Sequence, residues 1–591
     1  SHKIIHLTGL ENLSEYLEFK KTLPNGLAKN YEVKGFSKNM PSLMRHAKLV
    51  ISRSGATTIF EIASLNKKVL LMPITSGVAD HQIMNAQSMA SLAGVDIVFP
   101  DDSGKEILKK INKLISVRSV ETNAIYLPKS AELIARLIDD FIDYFQLTRL
   151  KKVFMIGIGG VSMRGIANIF DKMKISVKGS DIKTGGHSAS NINIGYDLVV
   201  YSSAADQNSP AKIEHDKAAR LGIKTIKRSE LVGKLMSGFR GISVSGMHGK
   251  TTVSSIISYA LDRYGYDPSY LIGAPQSKDV KSSKLGRGID FVAEACEYDG
   301  SFLDFNTKIA VITNIEKEHL DYFTGGIKQI IDEFVKFCDN IYPGGLLVYC
   351  CDDDNVKEVV KMAGKSLAEK RVKLISYGFS EKSDIAISSY KVEKGYASFK
   401  IHDQIIQTPQ VGEHFALNTA ASLAVCDYLG VDRFIFSLYL AQFSGASRRL
   451  EYIGRKDSVE VYDDYGHHPT EIDKTLIGFA QKFPDRRKIV IFEPHQQKRF
   501  NDFFNDYKEV FAKVSVDIVG ILPVYRVPGR DESIKNTAED LVNQINSPRI
   551  IYLDSYETAE NFLVENVKKA DVVLTMGATD VYKIGKKFLR D

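Results

Sequence analysis

The chain has 591 residues, enough for about four domains of ~150 residues each. Its composition, 44% hydrophobic and 25% charged residues, is typical of a folded globular protein. A net charge of +6 without any block of like charges gives no electrostatic indication of nucleic-acid binding. No run approaches ~18 consecutive apolar residues, so no membrane span is predicted. Five cysteines without metal-ligand spacing indicate free thiols and a cytoplasmic protein.

Residues 1–147 alternate apolar strand-like runs with helical patterns, which predicts a first Rossmann-like unit. One short strand leads into Ser54 and Gly55, and the helix that follows carries Glu61. The next strand is followed by a helix that contains Gln82.

A second unit, residues 148–237, opens with an apolar strand, a glycine-rich turn and a helix. Glycines in that position are typical of nucleotide-binding Rossmann folds. Asp181 follows about 20 residues later, where such folds place an acid against a ribose hydroxyl. We therefore predict a nucleotide-like site with these candidate contacts: Gly157, Gly159, Gly160, Ser180, Asp181, Ser202 and Ser203.

The third unit, residues 238–445, contains a phosphate-binding loop. An apolar strand ends at Gly246, and Gly249-Lys250-Thr251-Thr252 opens an amphipathic helix. Phosphate binding needs these parts: glycines that let amides curl round an anion, a helix N-terminus, a cation, and a hydroxyl for Mg²⁺. The first glycine precedes Gly249 by three residues rather than the five of the ordinary Walker pattern. A plain glycine turn is the alternative, but the Gly-Lys-Thr-Thr run favours an ATP site.

Acidic residues and a histidine follow two further predicted strands of this unit. Glu294 ends one strand, and Asn314 and His319 follow the other. Beside a phosphate loop, such groups are hard ligands for Mg²⁺ and positioning groups for phosphates. A solvated acidic turn is the alternative for each motif taken alone. Asn418 lies in a later helix of small residues, suited to close packing or to an adenine edge.

The last unit, residues 446–591, gathers histidines and arginines on loops at predicted strand ends. His467-His468-Pro469 offers two imidazoles, but no third ligand stands at helical spacing, so a zinc site is not predicted. These loops are better suited to an anionic substrate and a transferring phosphoryl group. The candidate side chains are Arg448, Asp464, His467, His495 and Arg499.

Six ordered motifs run through residues ~150–591: Gly246-Met-His-Gly-Lys-Thr-Thr, Glu294-Ala-Cys-Glu-Tyr-Asp, Thr313-Asn-Ile-Glu, Gly412-Glu-His, Phe443-Ser-Gly-Ala-Ser-Arg-Arg and Asp464-Tyr-Gly-His-His-Pro-Thr-Glu. With them this part of the chain resembles the Mur ligases. The resemblance implies three α/β domains: a Rossmann-like unit for a UDP-sugar, a central P-loop ATPase, and a Rossmann-like unit that closes on the amino acid.

The resemblance is to the branch of that family that joins L-alanine to UDP-N-acetylmuramate in peptidoglycan synthesis. It implies that ATP phosphorylates the muramoyl carboxylate and that the amine of alanine then displaces phosphate. Thr251 and Glu294 would serve one Mg²⁺ and His319 a second, while His467 and His495 would line the amino-acid side. The ATP contacts implied are Gly246, His248, Gly249, Lys250, Thr251, Thr252, Asn314, Asn418, Arg448 and Asp464.

Residues 1–147 carry Gly35-Phe-Ser-Lys-Asn-Met, Ser52-Arg-Ser-Gly-Ala-Thr-Thr and Asp80-His-Gln-Ile-Met-Asn-Ala. They resemble the donor-binding, C-terminal half of a GT-B glycosyltransferase that transfers N-acetylglucosamine. In that family the turn at Ser54 and Gly55 meets the UDP diphosphate, Glu61 meets ribose, and Gln82 touches the sugar. The half that brings the lipid-facing loops is missing. We therefore expect weak or no binding of UDP-N-acetylglucosamine, no transfer, and a scaffolding role; any membrane association would be peripheral and through this part.

One difference from the family's usual sequence affects the expected specificity for the amino acid. After a Phe-x-Pro the family commonly has His-Arg, but this chain has His495-Gln496, while Arg499 is kept. The missing arginine would contact the incoming carboxylate, so the amino acid is less firmly implied than the ligase class. The alternative is the recycling ligase that attaches a preformed tripeptide to the same UDP-sugar; the Glu294 motif favours the alanine enzyme.

Overall fold

The computed structural model describes residues 2–74, 80–90, 92–99, 101–118, 120, 130–182, 185–202, 209–274, 277–320, 322–526 and 534–590. The chain forms two compact units, Ser1–Pro128 and Lys129–Asp591. Within the described ranges, no helix is both long and apolar enough to cross a membrane.

The first unit is an α/β fold with two small parallel sheets. Strands β1 and β2 pair with each other, and β4 lies between β3 and β5. Ile62, Leu71 and Met89 are fully buried between the second sheet and its helices. The elements are β1 Ile4–Leu7, α1 Leu13–Thr22, α2 Asn25–Ala28, β2 Tyr31–Lys34, α3 Met40–His46, β3 Val50–Ser52, α4 Ala56–Ser64, β4 Val69–Leu71, α5 Asp80–Met89, β5 Val95–Ile97 and α6 Gly104–Ser116.

Helix α7, Ser130–Thr148, belongs to the second unit, so the compact boundary falls about 20 residues before the predicted one at 147. Its Asp143 accepts a hydrogen bond from Lys234 at 2.7 Å, and the carbonyl of Asp140 accepts one from Ser237 at 2.8 Å. The helix therefore packs on the ligase-like part of the chain rather than closing the first unit.

The Rossmann lobe, residues 151–238, has a fully parallel sheet in the order β7-β6-β8-β9. The two central strands, β6 and β8, are mostly apolar and buried, whereas the edge strands β7 and β9 are partly polar and less buried. The elements are β6 Lys152–Ile156, α8 Val161–Lys172, β7 Ser176–Ser180, a 3₁₀ turn Ala189–Asn191, β8 Leu198–Tyr201, α9 Lys212–Arg220, β9 Thr225–Lys227 and α10 Arg228–Met236.

The ATPase lobe, residues 239–445, is built on a ten-stranded sheet in the order β12-β11-β13-β10-β14-β15-β16-β17-β18-β19. The pairs from β11 through β17 are parallel, whereas β12 and the β17–β19 end are antiparallel. The elements are β10 Arg240–Ser245, α11 Lys250–Arg263, β11 Ser269–Leu271, β12 Ser283–Lys284, β13 Asp290–Glu294, a 3₁₀ segment Tyr298–Asp304, β14 Thr307–Ile312, α12 Gly326–Asp339, β15 Ile341–Cys350, α13 Asp354–Glu369, β16 Lys373–Gly378, β17 Ile385–Glu393, β18 Tyr396–Ile401, β19 Gln404–Thr408, α14 Glu413–Tyr428 and α15 Arg433–Gln442.

The C-terminal lobe, residues 446–590, has a six-stranded sheet in the order β20-β21-β25-β22-β23-β24, parallel except for β20. The elements are β20 Glu451–Lys456, β21 Val459–Asp464, α16 Pro469–Lys482, β22 Lys488–Phe492, α17 Gln497–Asp502, α18 Phe504–Ala512, β23 Ile518–Ile521, α19 Ala538–Ile545, β24 Ile550–Tyr552, α20 Tyr556–Asn566, β25 Val572–Met576 and α21 Tyr582–Arg590. Loops after parallel strands of the ATPase and C-terminal lobes supply the candidate site, as is usual for α/β sheets.

The placement of α7 gives a truncation prediction. A chain starting at residue 129 should unfold at a higher temperature than one starting at residue 149, because only the first keeps α7 on the ligase-like unit. If the helix contributes about 2 kcal/mol or more, the midpoints should differ by at least ~2 °C in a thermal melt of a unit this large. Equal melting temperatures would show that α7 is not part of this unit.

Candidate nucleotide and ligase site

The phosphate loop has the backbone that its glycines allow. Gly246 and Gly249 have φ angles of +127° and +86°, which disfavour side chains. A Cβ at Gly246 would collide with the Thr313 hydroxyl, and one at Gly249 with the side-chain oxygen of Asn418. Helix α11 begins directly after the loop, at Lys250. The predicted strand, turn and helix are thus present, with the adenine candidate Asn418 against the turn.

Lys250 is held inside the loop. Its Nζ donates to the carbonyls of Gly246 and Met247, the latter at 3.0 Å, and to Glu297 Oε2 at 2.8 Å. Burial lowers the pKa of Lys250, but the Glu297 carboxylate outweighs it and raises that pKa above its usual value. The ammonium is therefore charged and held by two loop carbonyls and the Glu297 carboxylate.

Thr251 and Glu294 form an oxygen pair beside the loop. The Thr251 hydroxyl donates to Glu294 Oε2 at 3.2 Å, and the amide of Gly273 donates to Oε1 at 2.7 Å. Burial raises the pKa of Glu294. A hydroxyl and a carboxylate oxygen are the hard ligands that Mg²⁺ prefers, so these two residues fit the predicted metal role.

Glu297, Glu318 and His319 form a second acidic group, with ligand atoms all within 4.8 Å of one another. Burial opposes ionisation of Glu318, but His319, His248 and Arg499 lower its pKa to about 2. Arg499 reaches Glu318 from the C-terminal lobe, with Nη2 3.3 Å from Oε1. His319 itself has φ +52°, a left-handed backbone that turns its ring toward Glu297 at 3.4 Å. The contact between Arg499 and Glu318 therefore connects the C-terminal lobe to the ATPase lobe.

Cys296 lies between Glu294 and Glu297 in the sequence. Burial raises the pKa of its thiol to about 11, and the Glu297 carboxylate adds to the effect. The thiol is therefore protonated at neutral pH despite the neighbouring lysine.

A cavity of about 240 Å³ lies between the ATPase and C-terminal lobes. Six predicted ATP contacts line it: His248, Gly249, Thr252, Asn314, Asn418 and Asp464. Four further lining residues, His414, Arg449, Glu471 and Lys474, were not predicted. Of these, Glu471 had a sequence signal, because it stands three residues after the helix N-cap His468. This cavity has the position expected of a nucleotide site.

The neighbouring residues Arg448, a predicted ATP contact, and Arg449, for which no contact was predicted, have different surroundings. Arg448 is buried, and its guanidinium donates to Asp463 at 2.7 Å and to the carbonyls of Gly577 and Thr579. Arg449 is the one that lines the cavity, 3.3 Å from Glu471. In this conformation the predicted ATP contact Arg448 instead braces the C-terminal lobe.

His467 and His495 lie near each other at the C-terminal lobe, with ring centroids 6.0 Å apart. Burial lowers the pKa of His467 to about 3, and Arg499 adds to this. His495 stacks on the ring of Tyr525 at 5.7 Å. A neutral imidazole at His467 can donate or accept a hydrogen bond but does not carry a positive charge at neutral pH.

The glycine turn of the Rossmann lobe is formed as predicted. The amide of Gly159 donates to Asp181 Oδ2 at 3.1 Å, and any Cβ at Gly159 would collide with that carboxylate. Ser180 points elsewhere, since its hydroxyl donates to the fully buried Glu214. Ser202 lies beside Gly157, where a Cβ would approach its hydroxyl to 3.2 Å. The predicted contact Ser203 lies outside the described residues.

In the first unit, the structure connects two of the four predicted contacts. The buried Ser54 hydroxyl donates to the backbone carbonyl of Gln82 at 2.8 Å. The side chain of Gln82 accepts from the amide of Ile74 at 3.2 Å, so it is engaged within the unit. Gly55 precedes helix α4, and Glu61 is exposed on that helix.

Family models match four segments of the chain. Residues 1–135 match the glycosyltransferase family 28 C-terminal domain. The other three are the Mur ligase family catalytic domain (152–240), the Mur ligase middle domain (244–426) and the Mur ligase glutamate ligase domain (448–579).

Relatives and solved structures agree with these matches. The UDP-N-acetylmuramate–L-alanine ligase of Caldanaerobacter subterraneus is 37% identical over 469 residues, 75% of this chain and 98% of that protein. The enzyme of the same name from Geobacter sulfurreducens is 34% identical over 75% of this chain and 97% of its own length. In fold, the chain is similar to the UDP-N-acetylmuramate–alanine ligase of Thermotoga maritima (TM-score 0.63, 21% identity, 74% of this chain and 98% of that one). It is also similar to a murein peptide ligase of Psychrobacter arcticus (TM-score 0.55, 21% identity, 74% and 98%).

The phosphate loop, its acids and the three lobes define an ATP-dependent ligase. The chain belongs to the Mur ligase family. The family resemblance and the α/β multidomain fold predicted from the sequence are both confirmed.

The loop geometry gives a testable prediction. Gly249→Ala should weaken binding of a fluorescent ATP analogue at least tenfold. A side chain at φ +86° costs about 1–2 kcal/mol and also displaces Asn418. Gly364→Ala is the matched control, because a Cβ at that helical glycine meets no atom within 4 Å. Equal affinity in Gly249→Ala and the native protein would contradict this account of the loop.

Proposed function

We propose that this chain joins L-alanine to the carboxylate of UDP-N-acetylmuramate, with ATP as the energy source and an acyl phosphate as the intermediate. The observation that carries the proposal is the intact phosphate loop, in which Lys250 lies between the loop carbonyls and Glu297. The names of the relatives, which align over nearly their whole length, support the choice of substrates.

The first step is transfer of the γ-phosphoryl group of ATP to the sugar-borne carboxylate. Lys250 and the loop amides hold the β- and γ-phosphates and neutralise charge that develops between them. Thr251 and Glu294 would hold a Mg²⁺, and His319 with Glu297 a second, because these residues present hydroxyl, carboxylate and imidazole ligands. Bound there, Mg²⁺ supplies charge neutralisation between the anionic oxygens.

The second step is attack of the alanine amine on the acyl phosphate, and phosphate leaves from the tetrahedral intermediate. His467 and His495 lie on the C-terminal lobe, where they would line the amino-acid side. Because the pKa of His467 is lowered to about 3, it orients the amine by hydrogen bonding rather than removing its proton. Arg499 is paired with Glu318 and so positions the lobe on the ATPase side.

A second candidate substrate is a preformed tripeptide. Gln496 stands where the family commonly has an arginine, and its backbone has φ +71°, an unusual conformation next to His495. An amide cannot pair with the carboxylate of a free amino acid as a guanidinium does. This observation keeps the tripeptide-recycling reaction as the alternative.

For the first unit, we propose a scaffolding or UDP-sugar-binding role without sugar transfer. Ser54 and Gln82 are tied to backbone groups of the unit itself, which leaves Glu61 as the exposed polar candidate. The cytoplasmic location stays a prediction.

A phosphate-release screen tests the ligase proposal. With ATP, Mg²⁺ and UDP-N-acetylmuramate, L-alanine should stimulate release of orthophosphate more than the other amino acids or the tripeptide. Lys250→Ala should abolish this release, because positioning and charge neutralisation of the γ-phosphate are lost together. Lys365→Ala, an exposed lysine on α13, should keep native rates. Stronger stimulation by the tripeptide would select the alternative, and no stimulation by any donor would refute both.

The first unit is tested separately by calorimetric titration with UDP-N-acetylglucosamine. We expect binding weaker than that of UDP-N-acetylmuramate to the same protein, and no transfer of N-acetylglucosamine to a lipid-linked acceptor. Any heat from the first unit should fall in Glu61→Ala and not in Glu15→Ala, a charge on the separate helix α1. Measurable transfer would overturn the scaffolding proposal.

A further inference from the structure

Two histidines from different lobes face each other beside the phosphate loop. His248 belongs to the loop of the ATPase lobe, and His468 is the N-cap of helix α16 in the C-terminal lobe. Their ring centroids are 5.1 Å apart. Glu316, from the loop after β14, joins them with an oxygen 3.7 Å from His248 Nε2. We call these three residues the cross-lobe cluster.

Two ring nitrogens of the cluster are buried without hydrogen bonds. Neither His248 Nε2 nor His468 Nε2 has a hydrogen-bond partner within the described part of the chain. His468 is only 4% exposed. Burying an imidazole nitrogen without a hydrogen-bond partner costs free energy, and a metal ion bound to that nitrogen would offset the cost. The ligand atoms of all three residues lie within 4.8 Å of one another.

Neighbouring groups hold the cluster in an orientation suited to a metal ion. His248 Nδ1 is 3.3 Å from Glu471 Oε1, which holds the ring so that Nε2 faces Glu316 at 3.7 Å; an ion bound at Nε2 takes the place of any proton there. Glu316 Oε2 accepts a hydrogen bond from the Thr470 hydroxyl at 2.8 Å. A carboxylate behind a ligating imidazole and a hydrogen bond on a ligating carboxylate are the usual supports of protein metal sites.

We propose that the cross-lobe cluster binds one divalent ion of the zinc and cobalt class. Two imidazoles and one carboxylate suit Zn²⁺ or Co²⁺, whereas Mg²⁺ prefers oxygen ligands. In a tetrahedral zinc site two ligand atoms stand about 3.3 Å apart, close to the 3.7 Å between His248 Nε2 and Glu316. The fourth position is left to water.

Metal binding at the cross-lobe cluster requires the loss of one hydrogen bond at His468. The amide of Thr470 donates to His468 Nδ1 in a long 3.4 Å hydrogen bond. A metal ion on Nε2 requires the proton on Nδ1, so that weak bond is exchanged for the metal bond. The ion would then tie the phosphate loop to the start of helix α16 and hold the two lobes together.

This site is distinct from the acids predicted to serve Mg²⁺. Those are Thr251 and Glu294, and the group of Glu297, Glu318 and His319. The cross-lobe cluster shares no residue with either. A test must therefore distinguish metal binding at the cross-lobe cluster from binding at those acids. Excess Mg²⁺ occupies the acids, and a variant of the acidic group shows whether the signal depends on them.

The experiment is a Co²⁺ titration of the metal-stripped full chain in excess Mg²⁺, followed by visible absorption, with Zn²⁺ competition against a chromogenic chelator. One ion should bind and give the absorption of a low-coordinate nitrogen-containing site. His468→Gln and Glu316→Gln should each weaken binding at least tenfold, because each removes a ligand. His46→Gln, an exposed histidine of the first unit, and His319→Gln should bind as the native protein does.

Thermal melting checks that each variant folds and provides a second readout. Zn²⁺ should raise the melting temperature of the native protein and not that of His468→Gln, since only the native cluster bridges the lobes. Equal metal affinity in the native protein and His468→Gln would overturn the proposal. So would the absence of any bound ion in excess Mg²⁺, or loss of the signal in His319→Gln instead.

Discussion

The buried charge of Lys250 is the constraint around which the ligase site is arranged. An ammonium that has left water needs a partner, and Glu297 supplies it at 2.8 Å. Glu297 in turn faces His319, and the neighbouring Glu318 pairs with Arg499 of the C-terminal lobe. The chain of compensating charges runs from the phosphate loop across the lobe boundary. The contact between Glu318 and Arg499 thus continues a series of charge pairs that begins at the buried Lys250.

Arg448 shows the same principle on the other side of the cavity. Its charge is neutralised by Asp463, while two carbonyls take its remaining donors, so it stabilises the C-terminal lobe. Arg449, one residue later, keeps its guanidinium toward the cavity beside Glu471. Of these adjacent arginines, one is therefore used within the lobe and the other lines the cavity.

The sequence predicted local features well. The strand, the glycine turn and the helix that begins at Lys250 follow from apolar periodicity and from residues that tolerate positive φ, which are properties of neighbouring residues. The pairing of Thr251 with Glu294 was implied by the family resemblance; in the structure these residues come from neighbouring parallel strands, at the end of β13 and just after β10.

The features that were not predicted depend on contacts between segments far apart in the sequence. The spacing of His467 and His468 does not predict that the ring of His248, over 200 positions earlier, contacts the ring of His468. The choice between Arg448 and Arg449 is decided by carbonyls of a loop near the C-terminus, which sequence patterns do not reveal. Helix α7 likewise has an amphipathic pattern that fits either unit, and only its contacts assign it.

The protonated thiol of Cys296 has a practical consequence for anyone seeking to block this enzyme. Alkylating agents and peroxides attack thiolates, and a pKa of about 11 leaves almost none of that form in a cell. Although Cys296 lies between Glu294 and Glu297 in the sequence, we expect it to react slowly with covalent inhibitors and with peroxides. Reversible compounds shaped to the space between the lobes are the better starting point.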